Sequence, residues 1–592
     1  MTNKKTYASL DSGRGINYWR HAPPLRAEAR RVYPDHEFEW ATPRLESFGE
    51  LVGDVIADNA DTIDEHGPIL HTYDEYGDVR NEVEYHPAQK ENERLVYESG
   101  IVADAFGPPA DRDEPVGLIH TLTMQLLLSY VDTGLVCPVS MTAGAALVLR
   151  NHDSDDSLDD YFSALTSRSY DSLAEGAMFL TEEQGGSDVG ANETIAEPVD
   201  SDSSPGDSRT YELTGEKWFC SNIDAEGTLA LARRPDAPSG TRGLSLFLVP
   251  HETRDGRLND QRYRRLKDKL GTISVPTGEV EFHGAEAYLV GEPERGFKYM
   301  ATMLNWERIT NAVGAVGIMG RCLVESKVKA ATREAFGEAI QEYPLMRRDL
   351  FEMAVDFDAA LTFAMEAGKW LDRYERDHDD RDAYRLMRVL APVAKYRTAR
   401  MAVETASYAM EIQGGNGYVR DFVTHRLYRD AQVLPIWEGT SNILSLDLLR
   451  TFEKEAAHEV LFAHVESLLS GIDHPVLDEL SSLVADECDS LKDAFATLVT
   501  ADDEYAQYEA KVLAEYVFDV VTASLLLSNA QREVDDAGDA RSVIVAKHFI
   551  ESAFGTSDAR GILDGEALAL EYFDTVVYYD RLDPASVTAR WT

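Results

Sequence analysis

Residues 435–443 read PIWEGTSNI, and in them Glu438 stands between Trp437 and Gly439, with the hydroxyl of Thr440 and the amide of Asn442 close behind. A carboxylate in this setting is either a solvated surface charge or, once removed from water, a general base whose pKa has risen toward its working range. Other stretches could serve the same chemistry. LTEEQGGSDVGANET (180–194) leaves a strand for a loop with a glycine pair, Ser187 and Asp188. It reads as a polar connection or as a backbone cradle in which glycines permit close approach and hydroxyls donate to a ligand. GEKWFCSN (215–222) puts Phe219 and Ser221 on one face of a strand and Trp218 and Cys220 on the other. An aromatic beside a hydroxyl suits a flat heteroaromatic ring, one stacking while the other bonds its edge, although such a strand also fits an ordinary core.

EIQGGNGYVRDF (411–422) sets Gln413 before Gly414, Gly415 and Gly417. It follows a helix and lacks the G-x-G-x-x-G spacing, so by itself it is a helix C-cap turn and not a dinucleotide fingerprint. ATREAFGEAI (331–340) similarly sets Arg333 before Phe336 and Gly337. In NWERITNAVGAVGIMGR (305–321), Gly314, Gly317 and Gly320 recur in a helical segment. Each glycine costs about 1 kcal/mol against alanine there, which points to close packing against a helix or ligand. Arg308, near its start, reads alone as a surface arginine. HEVLFAH (458–464) imitates a zinc-protease helix, but its histidines are six apart and face different sides, so no metal is expected. No G-x-S-x-G, Walker loop or Cys/His nucleophile pair is evident.

The elements that must position these residues follow from texture. Between about 45 and 170 the apolar spacing is mostly helical, as in LESFGELVGDVIADNADTI. Residues 177–291 change to short aromatic and β-branched runs between Gly, Pro, Asp and Ser clusters, an all-β insert in which VDSDSSPGDSR reads as a solvated hairpin loop. Long helices are expected over 297–331, 345–374 and 384–413, the second with an apolar stripe of Leu350, Met353, Ala354, Phe357, Leu361, Met365 and Leu371. More helices follow from about 451. The expected domains are 1–176 (helical), 177–291 (β), 292–450 (helical) and 451–592 (a helical extension).

Of the 592 residues, 105 are acidic and 57 basic, only 15 of these lysine, for a net charge of −48. The acidic excess is spread along the chain, which resembles adaptation to high salt, where self-repulsion is screened. Residues 451–592 hold 9 Lys and Arg against 29 Asp and Glu, a net −20 that disfavours phosphate contact and hence DNA binding. Four scattered cysteines suggest neither disulfides nor zinc. The most apolar segment, 517–527, is short and interrupted by Asp519, and the N-terminus lacks a signal-peptide stretch, so a soluble cytoplasmic protein is expected.

TEEQGGSD, GEKWFCSN, QGGNGY and WEGTSNI, in this order over roughly residues 45–450, resemble the acyl-CoA dehydrogenase family of flavoproteins. CPVSMT (137–142), RLKDKLG (265–271), PLMRRDL (344–350) and the extension after Arg450 are similar to its AidB-type, alkylation-response branch. The resemblance implies an N-terminal helical domain, a β-barrel and a C-terminal four-helix bundle, here with the added helical extension, and FAD as cofactor. By it, Met178, Leu180, Thr181, Gly186 and Ser187 line the flavin or thioester, and Phe219 and Ser221 abut the isoalloxazine. Arg333, Phe336, Gln413, Gly414 and Gly417 hold the pyrophosphate and adenosine part of a neighbouring subunit's FAD, while Thr440 and Asn442 touch FAD beyond the base. Ser187, Arg308, Trp437 and Gly439 meet the substrate. The implied reaction is α,β-dehydrogenation of an acyl-CoA with Glu438 as base. A homotetramer passing electrons to an electron-transfer flavoprotein is implied with it, and a vestigial enzyme in alkylation-damage response is the alternative. Departures are Phe219 for the usual Trp, Pro344 for a common Gln, Asn305 for a common acid and Trp437 for a common Tyr.

Overall fold

A computed structural model describes residues 4–199, 209–555, 562 and 567–591. It forms two compact units, Val55–Thr310 and Met1–Asp54 with Asn311–Thr592.

In the first unit, five strands close a ring. Gly227–Arg233 pairs with Leu244–Pro250, which pairs with Thr277–Val290, then Thr210–Ser221, then Ile195–Pro198, which returns to Arg233. Gly176–Phe179 joins in parallel to Gly227–Arg233, and Gln261–Leu266 adds to Thr277–Val290. Closure removes exposed edges among the ring strands. Alternation then sorts the side chains. Ala230, Ala232, Phe247 and Val249 fill the interior with Tyr211, Leu213 and Phe282. Leu229, Leu231, Leu246 and Leu248 face outward against Met141, Ala145 and Val148 of the helix Thr133–His152. Both faces of these two strands are therefore buried, which is why TLALAR and LSLFLVP read as continuous apolar runs.

One pair inside this barrel is not apolar. Lys217 and Glu182 are both buried, with Nζ 2.8 Å from Oε1. Lys217 Nζ also donates to Leu231 O at 2.9 Å. Glu182 further accepts from the backbone N–H of Glu193 (2.6 Å) and Thr194 (3.1 Å) and from the Thr194 hydroxyl (2.6 Å). Burial alone would raise the Glu182 carboxyl, but Lys217 and these donors hold it below its ordinary value. Burial pulls the Lys217 ammonium down, opposed by Glu182.

The second unit is helical. Pro344–Arg376 starts with proline at its first position, where no N–H is needed, and Asp380 caps Arg381–Gln413 by accepting from Ala383 N at 2.9 Å. The extension packs on this pair. Phe518 of Asp503–Ala537 lies 4.8 Å from Phe363, Tyr396 donates to Glu515 at 2.6 Å, and Arg541 bridges Asp358 at 2.6 Å. Glu366 is buried and collects Arg31, Lys369 and the Trp370 indole N–H, tying Pro23–Val32 to Pro344–Arg376.

Several expectations need correction. The helical reading of 45–170 missed the hairpin Ile69–Tyr73/Val79–Glu84, whose short polar strands carry no clear period-2 signal. ATREAFGEAI folds its middle into a second small hairpin, Glu334–Ala335/Glu338–Ala339. The expected start of further helices near 451 falls inside Ser441–Glu455, and Ala457–Ser470, Asp478–Thr500 and Asp503–Ala537 follow it. The most apolar long helix is Thr133–His152, which is long and apolar enough by composition to cross a membrane and is 89% buried over its most apolar window. Its many Gly, Ala, Ser and Thr residues dilute the signal that made 517–527 stand out. The VDSDSSPGDSR loop falls largely on 200–208, outside the described residues.

Lys217→Met leaves the Glu182 carboxylate buried without its cation and is expected to cost about 3–5 kcal/mol, read as a lower guanidinium midpoint. The Glu182 carboxyl is depressed when folded and ordinary when unfolded. Its contribution is therefore present at neutral pH and lost as pH falls through the depressed folded value, so the wild-type midpoint should fall on acidification, and less so in Glu182→Gln.

Candidate active site

In the barrel unit, the strand Thr210–Ser221 slips register against Thr277–Val290 between Lys217 and Cys220. The bulge turns both of these inward, three positions apart, and leaves Phe219 and Ser221 on the outer face. Strict alternation would have put Lys217 on the side of Phe219. Phe219 is 57% exposed, an uncommon state for an aromatic on a well-built barrel. Cys220 is fully buried and burial pushes its thiol up, so it packs and does not react. Trp218 N donates to Thr181 O at 2.9 Å, which joins the outer face to the start of the TEEQGGSD loop.

The Lys267 ammonium sits 3.8 Å from the Trp218 ring centroid and 4.7 Å from that of Phe219, and pairs with Glu279 at 2.7 Å. Glu182 pairs back to Gly185, closing the loop into a tight turn. A Cβ on Gly186 would meet Thr181 Oγ1 at 2.6 Å, so glycine is what lets the loop lie on Thr181. Ser187 beyond it is exposed. Met178 and Leu180 are half-buried against the leucine-faced strands. Arg308, on Gly296–Thr332, is buried beside Asn305 and Glu307, not at the surface as its isolated reading had it.

In the helical unit, Arg381–Gln413 ends where Gly414 takes φ +65° and a single turn, Gly414–Tyr418, follows. Gln413 Nε2 donates to Glu325 O at 3.2 Å. Among the described residues no heavy atom lies within 4 Å of where a Cβ would sit on Gly414 or Gly415, whereas one on Gly417 would be 2.2 Å from Met410 O. Arg333 leads into the small hairpin, whose turn residues Phe336 and Gly337 have φ +54° and +97°, the left-handed pair a two-residue turn requires. Phe336 is 98% exposed at its tip, and Arg333 is exposed.

Glu438 is half-buried, with Oε2 shut off from solvent, and its backbone takes φ +56° ahead of Gly439 at +103°. A non-glycine residue in that region stores about 1–3 kcal/mol, which the surroundings must hold in place. They do so at both ends: Lys395, fully buried on Arg381–Gln413, donates to Gly439 O at 2.6 Å, and Asn311 Nδ2 donates to Leu434 O at 3.3 Å. Thr440 stands at the N-cap position of Ser441–Glu455 without a side-chain bond to the helix, and Thr440 and Asn442 are exposed at this helix start, where the first N–H groups favour an anion. Trp437 Nε1 is buried and meets no acceptor among the described residues.

Each unit thus gathers its own predicted set: Met178, Leu180, Thr181, Gly186, Ser187, Phe219 and Ser221 around the barrel's outer face, and Trp437 through Asn442 in one turn of the helical unit. Sequence reasoning missed Glu182, Lys217, Lys267, Lys269 and Lys395. A signal existed for three of them, since Lys217 stood in GEKWFCSN and Lys267 and Lys269 in RLKDKLG, whereas Lys395 lies in a helical stretch with no local mark.

Residues 177–285 match the acyl-CoA dehydrogenase middle domain, 294–452 its C-terminal domain and 11–172 the N-terminal domain of the adaptive response protein AidB. The chain belongs to the acyl-CoA dehydrogenase family, and its N-terminal part is of the AidB type. It is 32% identical over 535 residues to acyl-CoA dehydrogenase family member 11 of Caenorhabditis elegans, spanning 87% of this chain and 84% of that one. It is 33% identical over 402 residues to the putative acyl-CoA dehydrogenase AidB of Escherichia coli, spanning 66% and 70%. The crystal structure of C. elegans ACDH-11 in complex with C11-CoA superposes with a TM-score of 0.83 at 26% identity, covering 97% of each chain.

Gly417→Ala is expected to cost about 1–3 kcal/mol, because the new Cβ meets a backbone carbonyl that cannot swing aside. A lower melting temperature by circular dichroism checks it.

Proposed function

We propose that the chain is an FAD-dependent acyl-CoA dehydrogenase that forms an α,β double bond in an acyl-CoA thioester, with Glu438 taking the α-proton. The observation that carries this is the Glu438 turn: a half-buried carboxylate on a strained backbone, with Lys395 holding the neighbouring Gly439 carbonyl, beside a helix start. The residues present fit FAD. Phe219 offers an exposed flat face beside the Ser221 hydroxyl, and the backbone at Gly185, Gly414 and Gly415 is open where side chains would crowd a ligand. When bound, FAD supplies the two-electron acceptor for the β-hydrogen. The Glu438 carboxylate accepts the α-proton, and the electrons of that C–H bond become the new double bond. The thioester oxygen gathers charge meanwhile and needs a donor, a role the family resemblance gives to the Glu438 backbone N–H. The indole N–H of Trp437 is a further donor beside the base, and its bulk narrows the room for the acyl chain. The C11-CoA complex of the C. elegans relative supports the substrate class.

Electron-transfer flavoprotein is the acceptor this reading carries, and a homotetramer its assembly. The solvent-exposed Phe336 and Tyr418, together with Arg333 on its projecting hairpin, support a second copy as their partner. The AidB-type N-terminal match favours a second reading, a vestigial dehydrogenase in alkylation-damage response. The −20 charge of residues 451–592 opposes its DNA-contact aspect.

Glu438→Gln should keep the yellow flavin spectrum and slow bleaching by acyl-CoA by about a hundred- to ten-thousandfold, the scale of removing a positioned base. Bleaching at the wild-type rate would remove Glu438 from the role. In an electrophoretic mobility shift at moderate salt, the wild-type chain should leave duplex DNA unshifted, and a tight shift would restore the second reading.

A further inference from the structure

Behind Ser221 lies a hydrogen-bonded chain that the dehydrogenase reading does not use. The Ser221 and Thr277 hydroxyls are 3.0 Å apart, on residues paired directly across the two strands. Thr277 is buried, and its Oγ1 also receives the Lys269 ammonium at 3.2 Å. Lys269 Nζ donates as well to Thr272 O and Val275 O, both at 2.6 Å, and so is held on one short loop. That loop includes Thr272 at φ +48°.

An ammonium has no lone pair and can only donate. Thr277 Oγ1 is therefore an acceptor toward Lys269, and among the described residues its hydroxyl meets only Lys269 and Ser221. A buried hydroxyl hydrogen left without an acceptor is costly, so the Thr277 hydrogen must point at Ser221 Oγ. Ser221 then accepts from behind, and its own hydrogen turns to the open side of the strand, the side where Phe219 two residues earlier is exposed. Polarity passes from Lys269 through Thr277 to Ser221.

We propose that Lys269 and Thr277 are positioning residues that fix Ser221 as an outward hydrogen-bond donor to an acceptor atom on the edge of the flavin ring. This rests on the flavin reading of the Phe219–Ser221 face. It predicts that Thr277, buried behind Ser221, governs flavin affinity, and does so only through Ser221.

The test is FAD titration of the apoprotein, followed by flavin fluorescence, with the visible absorption envelope of the bound flavin as a second readout. Thr277→Val should weaken FAD binding about two- to tenfold, the scale of one net hydrogen bond, and blur the envelope. Thr277→Ser should restore both. In a Ser221→Ala background, Thr277→Val should change neither. Lys269→Met should weaken binding in the same direction. Circular dichroism melting shows whether each variant is folded. Thr277→Val binding FAD as tightly as the wild type overturns the proposal, and so does an equal loss in the Ser221→Ala background. A wild-type chain that takes up no FAD overturns the flavin reading itself, and this inference with it.

Discussion

Lys217 and Glu182 are the interaction on which the barrel's functional face depends. Glu182 is the third residue after the strand Gly176–Phe179 that leads into the TEEQGGSD loop, and its two oxygens gather Lys217, two backbone N–H groups and the Thr194 hydroxyl. A buried ion pair contributes little net stability relative to apolar packing, yet breaking it is expensive. Its effect here is to fix register. It anchors both ends of the loop and draws Lys217 inward, so that the next outward residues are Phe219 and Ser221.

The helical unit solves a different problem, holding a carboxylate in a backbone region it would not choose. Lys395 and Asn311 grip carbonyls on either side of Glu438. Elsewhere in this unit the scarce basic residues serve as interior nodes, Arg31 at Glu366 and Arg541 at Asp358, while the acidic surplus lies at the surface. An acidic surface of this kind leaves each buried cation with a structural task.

The long helices were legible because their apolar stripes persist over many turns: the expected 345–374 and 384–413 are Pro344–Arg376 and Arg381–Gln413. The barrel was legible as texture, since Gly, Pro and Asp punctuate it at every turn. Its register was not, because the bulge at Lys217–Cys220 depends on a partner strand some sixty residues later and leaves no local mark. The small hairpin at 334–339 was hidden for the reason that Phe336 sits at φ +54°, where a glycine or asparagine would have announced a turn. Glu438 itself was legible only through the motif around it. Its strain and its clamp by Lys395 are long-range facts that no window of sequence contains.

The helical unit is discontinuous: Met1–Asp54 belongs with Asn311–Thr592, and the whole barrel unit intervenes. On the ribosome, the helices of the first segment emerge long before the surface that will cover them. At 5–20 residues per second, the roughly 260 intervening residues take about 10 to 50 s to synthesise. For that time Leu25, Leu45 and Phe48, which are buried in the finished protein, lack the cover that Asn311–Thr592 supplies. The barrel, contiguous in sequence, can close first. The nascent chain therefore carries a partly uncovered apolar segment while the barrel unit is made, a ready target for chaperones that bind such segments and a vulnerable point for a stalled product.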